Sequence, residues 1–557
     1  MKFDEVLIQI GEFGWYQKRL YFVICIPCIS AGIFATLSVF LLGVPDYRCA
    51  IPGLENDTYA IQDNNHQILV NRTIPVSSDA TKRYDGCFVY PESAPAYDNY
   101  SHPFNVSKTK CNKWVYDKSI FQSTLVSDLN LICDKNYIPS IVKMVYFSGM
   151  LAGALVFGFL SDIIGRKKTL MLSLILVSAA GIGVSWVNSV ILYVVLRFLV
   201  AMATIGIFTT GFVIGMEFVG PSKRMWAGIV VEYFFALGLI ILAGVGYLLR
   251  DWRHINMAVT FPCLIFLSYF WFIPESPRWL MSKGRFEEAE AILRNAARVN
   301  KVKLPDKLFD EHTYDYSVPQ ARVWHLFRTK VMTMRTLVIF ANWFVVTMAY
   351  YGLSLNTGNL GGNFFLNFTL SGLVEIPAYT LCILLLDKIG RKWLHFCCMV
   401  FGGIACISTV FTSLYAGEDL RWLTITLAMV GKLGASGAFA VIYVFSAELY
   451  PTVLRNSGMG ASSCCARVGG MIAPYIADLN KVVSGDFGMA LPLVVFGAAS
   501  VAAGVLALTL PETLNKELPE TIEDAETFGR TRHSKEVFVN GSFSKEGEDI
   551  ENTSKTL

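Results

Sequence analysis

The stretch GFLSDIIGRKK at positions 158–168 decides the fold, because a reduced copy of it returns in the second half of the chain. The copy, LDKIGRK at 386–392, keeps the spacing Asp-x-x-Gly-Arg-Lys and also closes an apolar run. Two further landmarks follow each copy in the same order: EFVGPSKR (217–224) and PES (274–276) after the first, ELYPTVLR (448–455) and PET (511–513) after the second. Landmarks repeated in register predict two halves built on one plan.

The composition places this repeat in a membrane. The chain of 557 residues is 54% hydrophobic and only 16% charged, whereas about a quarter of a typical soluble protein is charged. A spanning helix needs about 20 largely apolar residues. Twelve such runs occur, with cores at 20–43, 139–160, 169–187, 190–213, 225–249, 255–273, 336–355, 364–386, 394–414, 421–446, 457–477 and 488–510. The predicted fold class is an all-α membrane protein with twelve transmembrane helices.

Lysine and arginine predict the orientation. When the runs are threaded alternately, the basic connections at 166–168, 223–224, 391–392 and 455 fall on one side, together with the stretch 274–334. The positive-inside rule places that side, and with it both termini, in the cytoplasm. The acids among the first twenty residues and the length of the first run argue against a cleaved signal peptide.

The same threading divides the chain into segments. They are a cytoplasmic N-terminus (1–19), a first bundle (20–273) that includes an extracellular loop (44–138), a cytoplasmic linker (274–334), a second bundle (335–510) and a cytoplasmic tail (511–557). Residues 285–293 of the linker show a helical pattern, with acids early and arginines just after it, which suits the helix dipole. The polar composition of the tail predicts disorder.

The extracellular loop has the features of a secreted domain. It contains four cysteines, and disulfides persist outside the cell; three pairings are open among Cys49, Cys87, Cys111 and Cys133. Four Asn-x-Ser/Thr sequons predict glycosylation at Asn56, Asn71, Asn99 and Asn105. We therefore expect a glycoprotein of the plasma membrane.

These landmarks resemble a known family. The motif at 158–168 is similar to the loop between the second and third helices of the major facilitator superfamily, which reads G-x-x-S-D-x-x-G-R-[KR]. Within it, PESPRWL (274–280), SGLVEIPAY (371–379) and the large N-terminal loop resemble the organic cation, anion and zwitterion (carnitine) transporters. The phrase AYYGLSLNTGNLGGN (349–363) is most similar to insect organic cation and carcinine transporters. The resemblance reaches to about residue 515 and implies a major facilitator fold of two six-helix bundles and transport by alternating access.

The repeated charges predict a gate at the cytoplasmic end. Carboxylates and guanidinium groups at the same positions of both halves can pair across the seam between the halves, and this would stabilise the outward-open state. The alternative is that they cap helices and enforce topology. The residues are Asp162, Arg166, Glu217 and Arg224 in the first half and Asp387, Arg391, Glu448 and Arg455 in the second.

Charges inside the apolar runs predict the substrate site, because a charge at mid-membrane costs about 3 kcal/mol and usually faces a cavity, a partner or a transport path. The candidates are Glu232, Glu375, Lys432 and Arg467. Glu375 can either compensate a substrate cation or pair internally with Lys432 or Arg467. The resemblance implies recognition at Arg467, since relatives that handle anions or zwitterions place Arg there and strict cation transporters tend to place Asp. Lys143 and Arg197 lie nearer the ends of runs, where snorkelling or local pairing is the simpler interpretation.

Aromatic residues predict the remaining surface, because a cation over an aromatic face gains about 0.5 to 2 kcal/mol. The resemblance favours Tyr350, whose phrase matches an aromatic site position in cation carriers. Further candidates are Tyr351, Phe439, Tyr443, Phe364, Phe365 and the stretch 233–235.

No enzyme motif occurs, whether phosphate-binding, H-E-x-x-H or dinucleotide-binding. We therefore predict a transporter that is not an enzyme, has no cofactor or metal, binds no nucleic acid and works as a monomer in the lipid bilayer. A coupling ion, sodium or proton, is not identifiable. The predicted substrates are small organic cations or zwitterions related to carnitine, carcinine or amines; the alternatives are an organic anion carrier and a transporter-like receptor or channel.

Overall fold

The computed structural model describes residues 3–77, 83–90, 108–305, 308–309, 323–415, 420–481, 483, 485–516, 518–519 and 521–528. These residues form 21 α-helices and four short strands. The helices of the first half and linker are α1 (Phe3–Ile10), α2 (Trp15–Thr36), α3 (Ser38–Leu41), α4 (Asn64–Thr73), α5 (Leu125–Asp128), α6 (Ile138–Ile164), α7 (Arg166–Val184), α8 (Val190–Phe218), α9 (Arg224–Leu249), α10 (Trp252–Thr260), α11 (Tyr269–Phe272), α12 (Pro277–Ser282) and α13 (Phe286–Val299). Those of the second half are α14 (Lys330–Asn356), α15 (Phe364–Leu373), α16 (Glu375–Ile389), α17 (Arg391–Tyr415), α18 (Arg421–Leu449), α19 (Arg455–Ala477), α20 (Asp486–Ala507) and α21 (Ile522–Thr527).

Twelve predicted spans correspond to these helices. In the described part of the chain, eleven helical segments are long and apolar enough to cross a membrane. The remaining run forms α19, whose 23 residues are long enough to span but include Arg467 and several serines and glycines. The predicted all-α fold class is confirmed.

Three spans are interrupted. The first is divided into α2 and α3, the sixth contains a 3-10 segment (Phe261–Ser268) between α10 and α11, and the eighth is divided into α15 and α16. The last break lies just before Glu375, because Pro377 has no N–H to donate to the carbonyl of Leu373. It turns the first residue of α16 into the interior, where Glu375 is fully buried.

The two halves meet mainly along three helix pairs, α6 with α19, α9 with α15 and α9 with α16. Small residues permit the close approach. A Cβ added at Gly372 would lie 3.1 Å from Leu239 and Ile240, and one at Gly470 would lie 3.0 Å from the ring of Phe147. The seam is therefore packed helix against helix around the centre of the bundle.

The three repeated landmarks of each half assemble at one end of the bundle, which we call the motif end. Gly165 has φ 106° and Gly390 has φ 97°, a region that favours glycine, and an added Cβ would collide with Glu275 and Glu512, respectively. The Glu275 carboxylate accepts the backbone N–H groups of Arg166 and Lys167 at 2.9 and 3.1 Å.

Glu512 repeats this arrangement in the second half. It accepts the N–H groups of Arg391 and Lys392 at 2.9 and 3.1 Å. A carboxylate at a helix N-terminus satisfies free donors and complements the dipole. The Glu of each PES or PET landmark therefore fixes the start of α7 or α17.

The opposite end, the loop end, carries the cysteine loop. Disulfides join Cys49 to Cys111 and Cys87 to Cys133, which selects one of the three pairings left open by the sequence. Strand β1 (Tyr47–Cys49) pairs antiparallel with β4 (Trp114–Tyr116), and β2 (Phe88–Val89) with β3 (Thr109–Lys110). The first pair aligns Cys49 with Trp114, and so brings the first cysteine close to Cys111.

The predicted glycosylation sites differ in their surroundings. Asn56 is exposed. Asn71 is half-buried, and its side-chain oxygen accepts a hydrogen bond from the Tyr84 hydroxyl at 2.9 Å. Asn99 and Asn105 lie outside the described residues.

The linker and the tail dock on the motif end. The predicted helix around 285–293 is α13, and it packs on α1 and α12; the side chain of Asn300 accepts the N–H of Tyr16 at 2.9 Å. Arg335 of α14 donates to the carbonyls of Ala525 and Phe528 in the tail. The start of the tail thus forms the short helix α21, while residues 529–557 lie outside the described part.

Candidate functional site

A small cavity of about 50 Å³ lies between the halves at the centre of the bundle. Six of the eight predicted substrate residues line it: Glu232, Tyr350, Tyr351, Phe439, Tyr443 and Arg467. Phe235, from the predicted stretch 233–235, also lines it. Nine residues that the sequence did not single out complete the lining: Ala31, Phe147, Met150, Thr204, Ile205, Phe208, Trp343, Thr347 and Ala466.

The cavity brings together one acid and one base, each from a different half. Glu232 on α9 is 7% exposed, and within the described chain its carboxylate makes no hydrogen bond or ion pair. Arg467 on α19 is 8% exposed; its Nη1 donates to the backbone and hydroxyl oxygens of Ser463. Its Nε has no acceptor, and no carboxylate pairs with Arg467 among the described residues. The site therefore offers a negative and a positive group to a ligand.

Aromatic rings form most of the remaining wall. Tyr350 stacks on Phe439, with ring centroids 5.1 Å apart and planes 26° apart. Trp343 meets Tyr443 edge-on at 4.5 Å. The Thr347 hydroxyl also lines the cavity and has no partner within the described residues. The wall can thus surround a small organic cation and still offer it a polar contact.

Glu375 and Lys432, the other two predicted substrate residues, lie behind Tyr350 and do not line this cavity. Lys432 Nζ is 2.8 Å from Glu375 Oε1, and it also donates to Ser354 Oγ at 2.6 Å. The Tyr350 and Tyr379 hydroxyls donate to the two Glu375 oxygens at 2.8 and 3.1 Å. Of the two roles considered for Glu375, this conformation shows internal pairing.

The pair positions the aromatic wall. Lys432 Nζ lies 3.4 Å from the centroid of the Tyr350 ring, and Phe439 stacks on the same ring, so both side chains cover part of its surface. A substrate can therefore reach Tyr350 at its edge, while Phe439 and Tyr443 offer more of their surface.

The loop end is closed above the cavity. Lys143 on α6 pairs with Asp478 at the end of α19, with Nζ 3.3 Å from Oδ2, and Ser140 donates to the same carboxylate at 2.5 Å. Lys143 is thus paired across the seam rather than locally. The only sign of this pair in the sequence is the charge of Lys143 within an apolar run, since Asp478 is 335 residues away.

Aromatic residues seal the same end. Phe364 and Phe365, considered from sequence for the cavity wall, pack there against Phe40 with ring centroids 5.4 and 6.3 Å away. Phe121 of the loop lies 5.1 Å from Phe364, and Phe368 lies 4.9 Å from Phe40. We call these five rings the aromatic plug. They belong to the closure and not to the cavity lining.

The predicted gate residues pair within their own halves. Arg166 contacts Asp162 at 2.9 Å and Glu217 at 3.3 Å. Arg391 contacts Asp387 at 3.2 Å and Glu448 at 3.0 Å. The side chains of Asp162 and Asp387 remain 72% and 59% exposed.

The two remaining gate arginines also stay in their halves. Arg224 pairs with Asp4 of α1 at 2.7 Å, and Arg455 has an Nε without an acceptor among the described residues. In this conformation no gate residue forms an ion pair across the seam within the described chain. Cross-seam pairing stays a prediction for another conformation.

Known proteins match nearly the whole chain. Residues 76–524 match the family described as Sugar (and other) transporter. The chain is 40% identical over 553 residues to the organic cation transporter protein of Drosophila melanogaster, with 97% of each chain covered. It is 33% identical over 545 residues to the human organic cation/carnitine transporter 2, covering 96% of this chain and 95% of that protein. It is 34% identical over 558 residues to the beta-alanine transporter of D. melanogaster, covering 94% and 89%.

A solved structure matches the fold. The xylose transporter XylE from E. coli, in a partially occluded inward-open conformation, superimposes with a TM-score of 0.60 at 14% identity. The match covers 90% of this chain and 100% of that one, and it shows the fold alone. The fold is that of the major facilitator proteins. The chain therefore belongs to the Sugar (and other) transporter family and, within it, to solute carrier family 22, whose members similar to this chain include organic cation and carnitine transporters.

Proposed function

We propose that this protein carries small organic cations and zwitterions across the plasma membrane by alternating access. The observation that carries the proposal is the cavity itself, which presents Glu232 and Arg467, each without an oppositely charged partner among the described residues, between aromatic walls. An unpaired charge in a dry interior is costly. A substrate with the opposite charge would offset this cost, and the site would then favour such a substrate.

Each group has a distinct role in this proposal. The Glu232 carboxylate compensates an ammonium or quaternary amine, and Arg467 holds a substrate carboxylate through paired hydrogen bonds. Tyr351, Phe439 and Tyr443 provide the ring surface, with Tyr350 at its edge. Carnitine and beta-alanine, named in two relatives, carry both charges in one molecule, which supports the assignment of both groups.

An organic anion carrier is the second candidate, favoured by Arg467 alone. Lys432, the other mid-membrane base, is neutralised by Glu375 and lies outside the cavity lining. Glu232 would repel an anion. We therefore place the cation and zwitterion substrates first.

The transport cycle can be inferred from the orientation of the two ends and from the closure of the loop end. We infer that the motif end faces the cytoplasm, as the basic residues favour, and that the closed loop end faces outward. In the opposite state, Lys143 and Asp478 separate, and the gate charges of the two halves approach one another across the seam. The large difference in exposure between Asp162 and Arg166, 72% against 13%, leaves the aspartate available for such a contact.

Uptake of three radiolabelled solutes into oocytes tests the proposal: tetraethylammonium, carnitine and a dicarboxylate, with and without sodium and at two membrane potentials. We expect saturable uptake of the first two. Arg467→Ala should impair carnitine uptake more than tetraethylammonium uptake, and Arg467→Lys should restore part of it. Uptake of the dicarboxylate alone would overturn the proposal, and an equal loss for both substrates at unchanged surface level would remove Arg467 from the site.

A further inference from the structure

A second guanidinium group lies buried in the first half, away from the cavity lining. Arg197 on α8 is 1% exposed, and its Nη2 donates to Ser38 Oγ at 3.0 Å. Its guanidinium carbon lies 4.6 Å from the centroid of the Tyr146 ring. Its Nε and Nη1 have no acceptor among the described residues, and no described carboxylate forms an ion pair with it. This is a full positive charge in the membrane interior without a compensating acid.

Two buried hydroxyl groups lie near Arg197. Tyr193 is fully buried, and its hydroxyl has no partner within the described chain. The hydroxyl of Tyr146, which is 1% exposed, lies near that of Thr204. Tyr193 precedes Arg197 by four residues on α8, so the two side chains lie on the same helix face. A buried polar group without a partner destabilises the fold, and an unpaired buried charge does so more strongly. Four buried side chains therefore form a set that is rich in hydrogen-bond donors and needs an acceptor: Arg197, Ser38, Tyr146 and Tyr193.

The acids nearest the loop end have other partners. Asp478 is held by Lys143 and Ser140, and Asp128 accepts from Trp252 Nε1 at 2.9 Å and pairs with Arg253 at 3.7 Å. Water would satisfy single donors but would leave the charge of Arg197 uncompensated. A small anion would satisfy the donors and neutralise the charge.

We propose that Arg197, Ser38, Tyr146 and Tyr193 form a site for a small inorganic anion, which in a cell is chloride. The site is distinct from the substrate cavity, whose lining includes none of the four residues. It lies directly below the closure of the loop end. Ser38 is two residues before Phe40 of the aromatic plug, and Tyr146 is three residues after Lys143. A bound anion would therefore stabilise the conformation in which the loop end is closed.

The test uses the purified full chain in lipid nanodiscs. Its melting temperature is measured by tryptophan fluorescence while sodium gluconate is replaced by sodium chloride at constant ionic strength. A ligand that binds the folded state raises the melting temperature with its concentration, so we expect a saturable rise with chloride and with bromide. Arg197→Gln should abolish that rise.

Two conservative variants keep the test decisive even where Arg197→Gln fails to fold. Tyr193→Phe removes only a hydroxyl that has no described partner, and Tyr146→Phe removes a hydroxyl that lies near Thr204. Each should raise the half-saturating chloride concentration roughly fivefold, the equivalent of one lost hydrogen bond. In gluconate, each should melt no lower than the unmodified protein.

Arg467→Gln is the matched control, since it removes the other guanidinium without an acid partner. It should retain the chloride-dependent rise. The proposal is overturned if the unmodified protein melts at the same temperature in chloride and in gluconate. It is also overturned if the rise disappears in Arg467→Gln and persists in the two tyrosine variants, because the anion would then bind in the substrate cavity.

Discussion

Lys143 of the first half and Asp478 of the second half lie 3.3 Å apart and join the two halves at the loop end. Both side chains are only 10% exposed, so water screens this pair much less than it screens a surface pair. Both the pair and the aromatic plug lie at the loop end, and a state that opens this end has to break both. The energy of this contact therefore sets part of the balance between the two states.

Removing one partner of this pair should favour the opening of the loop end. In Lys143→Gln, a cysteine placed in the cavity by Thr347→Cys should react faster with a membrane-impermeant maleimide added from the loop side. We expect an increase of about tenfold, since about 1.4 kcal/mol of coupling corresponds to that factor. The rate is measured by labelling intact cells, relative to the same protein without Thr347→Cys.

The charge-reversed double variant Lys143→Asp with Asp478→Lys is the control. It keeps opposite charges at the two positions and should return the labelling rate towards the original value. An unchanged rate in Lys143→Gln would show that the aromatic plug alone keeps the loop end closed.

Glu375→Gln should destabilise the fold rather than only weaken substrate binding. The change leaves the Lys432 ammonium, which is 1% exposed, without its carboxylate partner, and breaking a buried pair costs about 3 to 5 kcal/mol. We expect a clear fall in the melting temperature of the purified protein. The double variant Glu375→Leu with Lys432→Met should recover most of the loss, because neither charge then remains buried alone. Full stability of Glu375→Gln would show that Lys432 finds another acceptor.

Glu232→Gln should have the opposite pattern. This carboxylate has no described partner to lose, and the change removes an unpaired buried charge, so the melting temperature should rise or stay the same. The apparent KM for tetraethylammonium should rise about tenfold to a hundredfold, as expected for about 1.5 to 3 kcal/mol from a hydrogen bond to a charged group. Uptake kinetics, normalised to the amount at the cell surface, measure the effect. A KM within twofold of the original would place the substrate cation elsewhere in the cavity.

The sequence predicted the fold because its signals are local. Each apolar run can be recognised from about 20 neighbouring residues. The structure contains helices at all twelve runs. The mid-membrane charges also marked the central region, since Glu232 and Arg467 both line the cavity.

Contacts between helices that are far apart in the sequence could not be predicted from these local signals. The partner of Lys143 is 335 residues away, and the assignment of Phe364 to the plug depends on how α15 faces Phe40. The disulfide pairing likewise follows from strand register, with Cys49 opposite Trp114. Composition and periodicity carry no information about these long-range choices.

Acid should loosen the cysteine loop through Asp57, which is 2% exposed and paired with Arg48. Burial alone would raise the pKa of Asp57, but hydrogen bonds from Arg48, the Ile51 N–H and the His66 ring hold it below the ordinary value of 3.8. Because the folded-state pKa is lowered, the stabilisation is fully present above that ordinary value. It is lost as the pH falls through the folded-state pKa.

Hydrogen exchange of residues 48–66 in the full-length protein, corrected for the intrinsic pH dependence, measures this effect. Protection should be constant from neutral pH down to about pH 4 and should fall below it. Asp57→Asn should lower the protection already at neutral pH, because Arg48 stays buried without its acid. Protection that continues unchanged to pH 2 would contradict the assignment.

The Glu275 and Glu512 carboxylates have a mechanical consequence. Each clamps the start of a helix, α7 or α17, to the segment that follows the sixth helix of its own half. A six-helix bundle fastened at that corner resists internal bending. When a solute binds at the central cavity, each half would then move as a rigid body, and the movement would reach both ends of the bundle.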